Sequence, residues 1–135
     1  ENVFKIHKIK VIKKIDADCP SIFGDRLGIV EVLQNIISNA VKFMPKKGAL
    51  TVTTFEKDNF IYTIIKDTGI GMTKKTVTNL FEPFFKADKS RHAEGSGLGL
   101  SICKEIIEGH GGGITAQSRG AGKGTAITFY LPIAN

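Results

Sequence analysis

The sequence predicts an α/β fold, a two-layer sandwich in which helices cover one face of an antiparallel or mixed sheet. Three observations carry this prediction. β-branched and aromatic runs precede, separate and follow segments of helical period, and two pairs of neighbouring runs are joined by short polar or glycine-rich connectors that read as hairpins. At 135 residues and 41% hydrophobic content, the chain suits a single domain whose core needs neither disulfides nor metals.

Each element follows from its own pattern. From Val3 to Ile15 apolar residues (Val3, Phe4, Ile6, Ile9, Val11, Ile12, Ile15) alternate with basic ones and read as one or two strands. Pro20 and Gly24 interrupt this run. Asp25 is placed to cap a long helix from Leu27 to Met44, which the segment from Pro45 to Gly48 terminates. Leu50 to Glu56 and Phe60 to Lys66 are strands joined by Lys57-Asp58-Asn59, and the second delivers Asp67 at its end. A short helix from Thr73 to Leu80 follows. Phe81 to Gly97 contains Phe81, Phe84, Phe85 and several cations without a clean period, and reads as a mobile lid in which Phe81 packs on the core. Leu98, Ile102 and Ile106, with Cys103 and Ile107 beside them, define another amphipathic helix closed by Gly109 and Gly111 to Gly113. Two last strands, Ile114 to Ser118 and Thr125 to Leu131, flank the loop Arg119-Gly120-Ala121-Gly122-Lys123-Gly124.

Composition removes several function classes. Net charge is +6, from 19 Lys and Arg against 13 Asp and Glu, which favours an anionic partner or simply a soluble basic surface. The cations are scattered and only two Tyr and no Trp are available to stack on bases, so nucleic acid is not expected as a partner. Cys19 and Cys103 stand alone, and His7, His92 and His110 lack ligand spacing, so neither a disulfide framework nor a zinc site is expected. No apolar run approaches the roughly 18 residues that span a bilayer. A reducing, cytoplasmic setting fits.

The long helix carries the most informative segment. At about 100° per residue, Asn35, Asn39 and Lys42 fall within roughly a 60° sector, whereas Leu33, Ile37, Ala40 and Met44 point the opposite way. An ordinary solvated face would show the same period. Asn, however, is a mediocre helix former that a surface does not need, while two amides and an ammonium suit a hard cation and the phosphates around it. Downstream, Asp67-Thr68-Gly69-Ile70-Gly71-Met72 puts a carboxylate at a strand end, followed by glycines. Such a carboxylate either closes a plain turn or accepts a hydrogen bond from an exocyclic amine, which would select adenine over guanine. Gly95-Ser96-Gly97-Leu98-Gly99-Leu100-Ser101 opens the next helix and is a phosphate cradle by geometry, or else a flexible linker. It matches neither the P-loop nor the dinucleotide fingerprint. Lys86, Lys89 or Arg91 of the lid would reach a terminal phosphate on closure, or stay solvated.

These motifs stand in a fixed order, and that order resembles the catalytic, ATP-binding domain of sensor histidine kinases, a branch of the GHKL superfamily. The resemblance covers nearly the whole chain: Asn35 to Phe43 looks like the N box, Asp67 to Met72 the G1 box, Leu80 to Phe85 the F box and Gly95 to Leu100 the G2 box. Gly120 to Thr125, leading to Phe129 and Leu131-Pro132, is similar to the closing glycine loop and last strand. The resemblance implies a Bergerat-type fold, a mixed sheet of about five strands with three helices on one face, with residues 1–135 forming one domain.

By resemblance, Asp67 accepts the adenine amino group, Gly69 and Gly71 lie against the base, and Thr125 lies near adenine. Asn39 ligates Mg2+, Asn35 lies beside it near the phosphates, Lys42 contacts phosphate, and Lys86 belongs to the lid. Gly95, Gly97 and Gly99, with Leu98 and Leu100, form the flexible phosphate-side loop. Relatives that hydrolyse ATP carry a Glu where Asn35 stands, and a neutral amide cannot act as that base. Asn35 therefore implies phosphoryl transfer, with Glu31 one turn earlier as a candidate assistant to a histidine nucleophile. No His of this chain has the setting of the family's phosphate acceptor, which lies on a separate helical dimerisation domain. The implied partners are ATP, that domain and a downstream response regulator, with this domain monomeric by itself and the parent kinase, which is dimeric, anchored to a membrane or soluble. The alternatives are a non-transferring ATP-binding regulatory module and a GHKL-type ATPase.

Overall fold

The computed structural model describes residues 9–15, 22, 24–44, 47–85 and 99–134. Along these the elements are β1 (Ile9–Ile15), α1 (Arg26–Lys42), β2 (Gly48–Lys57), β3 (Phe60–Asp67), α2 (Lys74–Asn79), α3 (Gly99–Gly109), β4 (Gly113–Gln117) and β5 (Thr125–Pro132). The strands form one sheet in the order β1-β2-β3-β5-β4. β1 runs parallel to β2 while every other neighbouring pair is antiparallel, so the sheet is mixed. A parallel pair needs a crossover, and α1 supplies it. The expected strand before Ile9 lies outside the described residues.

Local chemistry fixes the ends of these elements. The Asp25 carboxylate accepts the Leu27 N–H at 3.2 Å and caps α1 as its sequence position suggests. Asp58 and Asn59 both adopt positive φ, 54° and 70°, the pair of left-handed residues that a type I′ hairpin turn requires. Lys57 therefore belongs to β2, and the β2–β3 turn is shorter than the three-residue connector expected. α3 ends in a paired motif in which the Gly112 N–H bonds the Ile107 carbonyl and the Gly111 N–H bonds that of Glu108, each at 3.0 Å.

One sheet face is core. In β3, Ile61, Thr63, Ile65 and Asp67 are buried in alternation, and in β5 Thr125, Ile127, Phe129 and Leu131 match them. Val32 and Ile36 of α1 meet Cys103 and Ile107 of α3 in the same cluster. Burial, with the charge of Glu31 adding to it, pushes the Cys103 thiol up to about 12, so it packs as an inert core residue. On the opposite sheet face Phe55 stacks on Tyr62 at 5.3 Å and Tyr62 meets Tyr130 at 5.2 Å.

The buried stripe of α1 differs from the expected one. Val32, Ile36, Ala40, Val41 and Met44 are buried, whereas Leu33 and Ile37 are only partly so. The cause is that α1 packs against both the sheet and α3, which widens the apolar sector and turns it toward Val32 and Ile36. Asn35 and Asn39 consequently stand beside the core instead of opposite it. A further tie joins the two helices: the Asp25 N–H donates to His110 Nε2 at 2.9 Å, and His110 Nδ1 lies 2.7 Å from the Ile106 carbonyl. With Nε2 accepting from Asp25, Nδ1 is the nitrogen that donates to the Ile106 carbonyl.

Candidate functional site

Strand alternation points Asp67 into the protein at the last position of β3, where it is 7% exposed. Its Oδ1 accepts the Gly69 N–H at 2.8 Å and the Thr125 N–H at 3.1 Å. Burial pushes the Asp67 carboxyl above its ordinary value, and these two backbone hydrogen bonds partly offset that rise.

The residues after Asp67 are held between two other segments. Ile70 donates its N–H to the carbonyl of Phe43 at 3.0 Å, at the very end of α1. On the other side, Gly124 donates to the Gly69 carbonyl at 3.1 Å and Gly122 to that of Ile70 at 2.6 Å. Met72 donates to Ser118 Oγ at 2.9 Å. Gly71 has a φ of 75°, and a Cβ there would strike the Gly120 carbonyl. Asp67, Gly69, Gly71 and Thr125 thus form one cluster at one end of the sheet, below the C-terminus of α1.

The amide face of α1 lies partly buried alongside. Asn35 Nδ2 donates to the Glu31 carbonyl at 3.0 Å, and its Oδ1 lies so near Gly99 that a Cβ added there would sit 2.9 Å away. The structure therefore brings Asn35 and the first residue of α3 together. The Lys42 ammonium lies 5.9 Å from the Phe43 ring centroid, a cation–π contact at the end of the same helix. Two further expected site residues have these surroundings. Leu100 packs against the hydrophobic core, because its position in α3 faces inward. Glu31 lines a shallow groove with Asp25, Glu105 and His110, between α1 and the end of α3. Lys86, Gly95, Gly97 and Leu98 lie outside the described residues, as does the rest of the expected lid beyond Phe85.

Two contributors had no signal in the sequence. The Phe43 carbonyl is a backbone group, and Ser118 is an unremarked residue after a strand. Both act through contacts that only the fold creates.

A buried carboxylate at the foot of interlocked glycine loops, next to a helix face of amides and an ammonium, stands at one end of a two-layer α/β sandwich. The chain belongs to the histidine kinase-, DNA gyrase B- and HSP90-like ATPase family, whose sequence profile matches residues 24–135. Within that family it is a catalytic domain of the sensor histidine kinase type. It is 46% identical over 112 residues to the sensor histidine kinase WalK of Bacillus subtilis, covering 80% of this chain and 18% of WalK. It is 39% identical over 133 residues to the sensor protein KdpD of Clostridium acetobutylicum, covering 96% and 14% respectively. The chain thus spans less than a fifth of either relative. Among solved structures, the mycobacterial sensor histidine kinase MprB superposes with a TM-score of 0.86 at 29% identity, over 98% of this chain and 89% of that one. The catalytic domain of histidine kinase ThkA superposes with a TM-score of 0.85 at 26% identity, over 99% and 86%. The mixed five-stranded sheet with three helices is the fold of these domains. Among the described residues no helix is long and apolar enough to cross a membrane.

Proposed function

We propose that this domain holds Mg-ATP and presents the γ-phosphate to a histidine on the dimerisation domain of its parent kinase, from which the phosphoryl group passes to a response regulator. The observation that carries this reading is Asp67. Both backbone bonds fall on Oδ1, so the adenine amino group would meet Oδ2, while Gly69, Gly71 and Thr125 flank the ring. The phosphates would then lie toward Asn35, Asn39, Lys42 and the G2 segment, Gly95, Gly97 and Leu98 followed by Gly99 and Leu100 at the start of α3. Lys86 of the lid would add positive charge there.

The donor set fits Mg2+. Among the described residues no group of three or more His, Cys, Asp or Glu side chains would hold a metal alone. A single amide oxygen, from Asn39, together with phosphate oxygens and water, is what a hard cation of octahedral preference accepts. When bound, the ion neutralises charge on the phosphates. The protein's own share is to position the nucleotide and exclude a hydrolytic base. Asn35 serves both ends, since its amide cannot deprotonate water and its Nδ2 is engaged by the Glu31 carbonyl. For Glu31 to assist the incoming histidine, its exposed carboxylate must swing out of the groove it shares with Glu105 and His110.

The test combines this domain, monomeric in the proposal, with a histidine-bearing dimerisation domain and γ-labelled ATP. An acid-labile, base-stable label on histidine is the expected result. Steady phosphate release without an acceptor would instead identify an ATPase, and nucleotide binding without either reaction a regulatory module. As a second prediction, Asn39→Ala weakens ATP binding about tenfold in Mg2+ and little in EDTA, a loss of about 1.4 kcal/mol specific to the metal complex. Calorimetry in both buffers checks this, and equal losses would remove Asn39 as a ligand.

A further inference from the structure

We infer that Ser118 is a positioning residue that sets adenine selectivity by fixing the two glycine loops against Asp67, an inference that rests on the nucleotide reading above. Ser118 follows β4 directly and is partly buried. Its Oγ accepts the Met72 N–H at 2.9 Å and the Gly120 N–H at 3.2 Å, and donates to the Gly124 carbonyl at 2.7 Å. A hydroxyl has one proton and two lone pairs, so these three bonds saturate it. One side-chain atom thereby joins the loop after β3 to both ends of the loop before β5.

Two of those bonds lead back to the carboxylate. Gly124 precedes Thr125, whose N–H holds Asp67 Oδ1, and Gly124 itself donates to the carbonyl of Gly69, the other residue bonded to Oδ1. Met72 closes the same loop two residues after Ile70, which is held by Phe43 and by Gly122. The direction in which Asp67 Oδ2 faces is therefore set by a frame in which Ser118 is the side chain that joins the loop after β3 to the loop before β5 from outside the carboxylate. Removing its hydroxyl leaves two N–H groups and one carbonyl without their partner, so the frame loosens while the core beneath it, built from other residues, stays packed.

The experiment compares wild type, Ser118→Ala and Ser118→Thr in three measurements: binding of ADP, binding of inosine diphosphate, and amide exchange in the nucleotide-free domain. Inosine diphosphate carries an oxygen where ADP carries the amino group that Asp67 would accept. Ser118→Ala is expected to lower ADP affinity at least about tenfold with a smaller loss for inosine diphosphate, so the ratio between them narrows. Exchange at Met72 and Gly120 should accelerate about tenfold. Ser118→Thr, which keeps the hydroxyl, should restore both. Should Ser118→Ala not fold, Ser118→Cys, with its weaker acceptor, is expected to show the same narrowing in smaller degree. Equal losses for the two nucleotides, or unchanged exchange, overturn the inference. If wild type binds neither nucleotide, the nucleotide reading fails and selectivity with it, while the exchange data separately decide whether Ser118 pins the loops.

Discussion

Asp67→Asn is expected to weaken ADP binding by at least about 100-fold in a calorimetric titration, while the nucleotide-free domain stays folded. The size follows from what the loops allow the new side chain to do. Gly69 and Thr125 both present N–H groups to Oδ1, so the asparagine must keep its oxygen there and turn its NH2 to the place of Oδ2. A donor then faces the donor of adenine. Losing a hydrogen bond to a charged group and leaving a buried donor unpaired together cost about 3 kcal/mol or more. Unchanged affinity would remove Asp67 from the adenine contact.

The same variant separates binding from folding through pH. Burial holds the Asp67 carboxyl above its ordinary value, so the folded domain binds that proton more tightly than the unfolded chain does. Its stabilising contribution is present below the unfolded value and is lost as pH rises through the folded one. Asparagine does not titrate. Asp67→Asn should therefore melt at or above the wild-type temperature near neutral pH, with the advantage gone by about pH 3, below the unfolded value of an aspartate. A mutant that melts well below wild type at neutral pH would mean that the lost affinity reflects unfolding.

Gly124→Ala carries the second large effect, this time on stability. Gly124 has a φ of 74°, and a Cβ there would collide with the Asp67 carbonyl in the next strand. Gly122 has a nearly identical φ of 76° but nothing within 4 Å of an added Cβ. The pair divides conformational cost from collision. Gly122→Ala should lose about 1 to 2 kcal/mol, the penalty of a left-handed L-residue. Gly124→Ala should lose about 3 kcal/mol or more, lowering the melting temperature by about 10 °C in a domain of this size, and should weaken nucleotide binding because Thr125 moves with it. Equal melting temperatures for the two variants would show that the loop before β5 can shift away from Asp67.

The elements and their order were legible because each rests on local chemistry. Asp25 caps α1, alternation in β3 and β5 separates core from solvent, and Asp58-Asn59 makes the turn that β2 and β3 need. That Asp67, Gly69 and Gly71 come together was legible as well, since glycines beside a strand-end carboxylate announce close approach, whereas Thr125 entered only through the resemblance. What the sequence withheld depends on packing between distant segments. The tilt of α1 toward α3 turned Val32 and Ile36, not Leu33 and Ile37, into the deepest residues. The packing of Leu100 on the core and the groove that Glu31 lines beside α3 likewise depend on how the two helices meet. Ser118 and the Phe43 carbonyl carry no local pattern at all, as each earns its place only when three loops meet.

The sheet order has a consequence for crowding. Among the described residues β1 and β4 are its outermost strands, and a strand edge left open invites another chain to add on. β4 offers only five residues, and β1 exposes Lys10, Lys13 and Lys14. Two copies meeting edge to edge along β1 would stack these ammonium groups at strand spacing, about 4.8 Å apart, where like charges repel. Pairing of two copies through their β1 edges is thus opposed by charge, the more so the closer the copies are held.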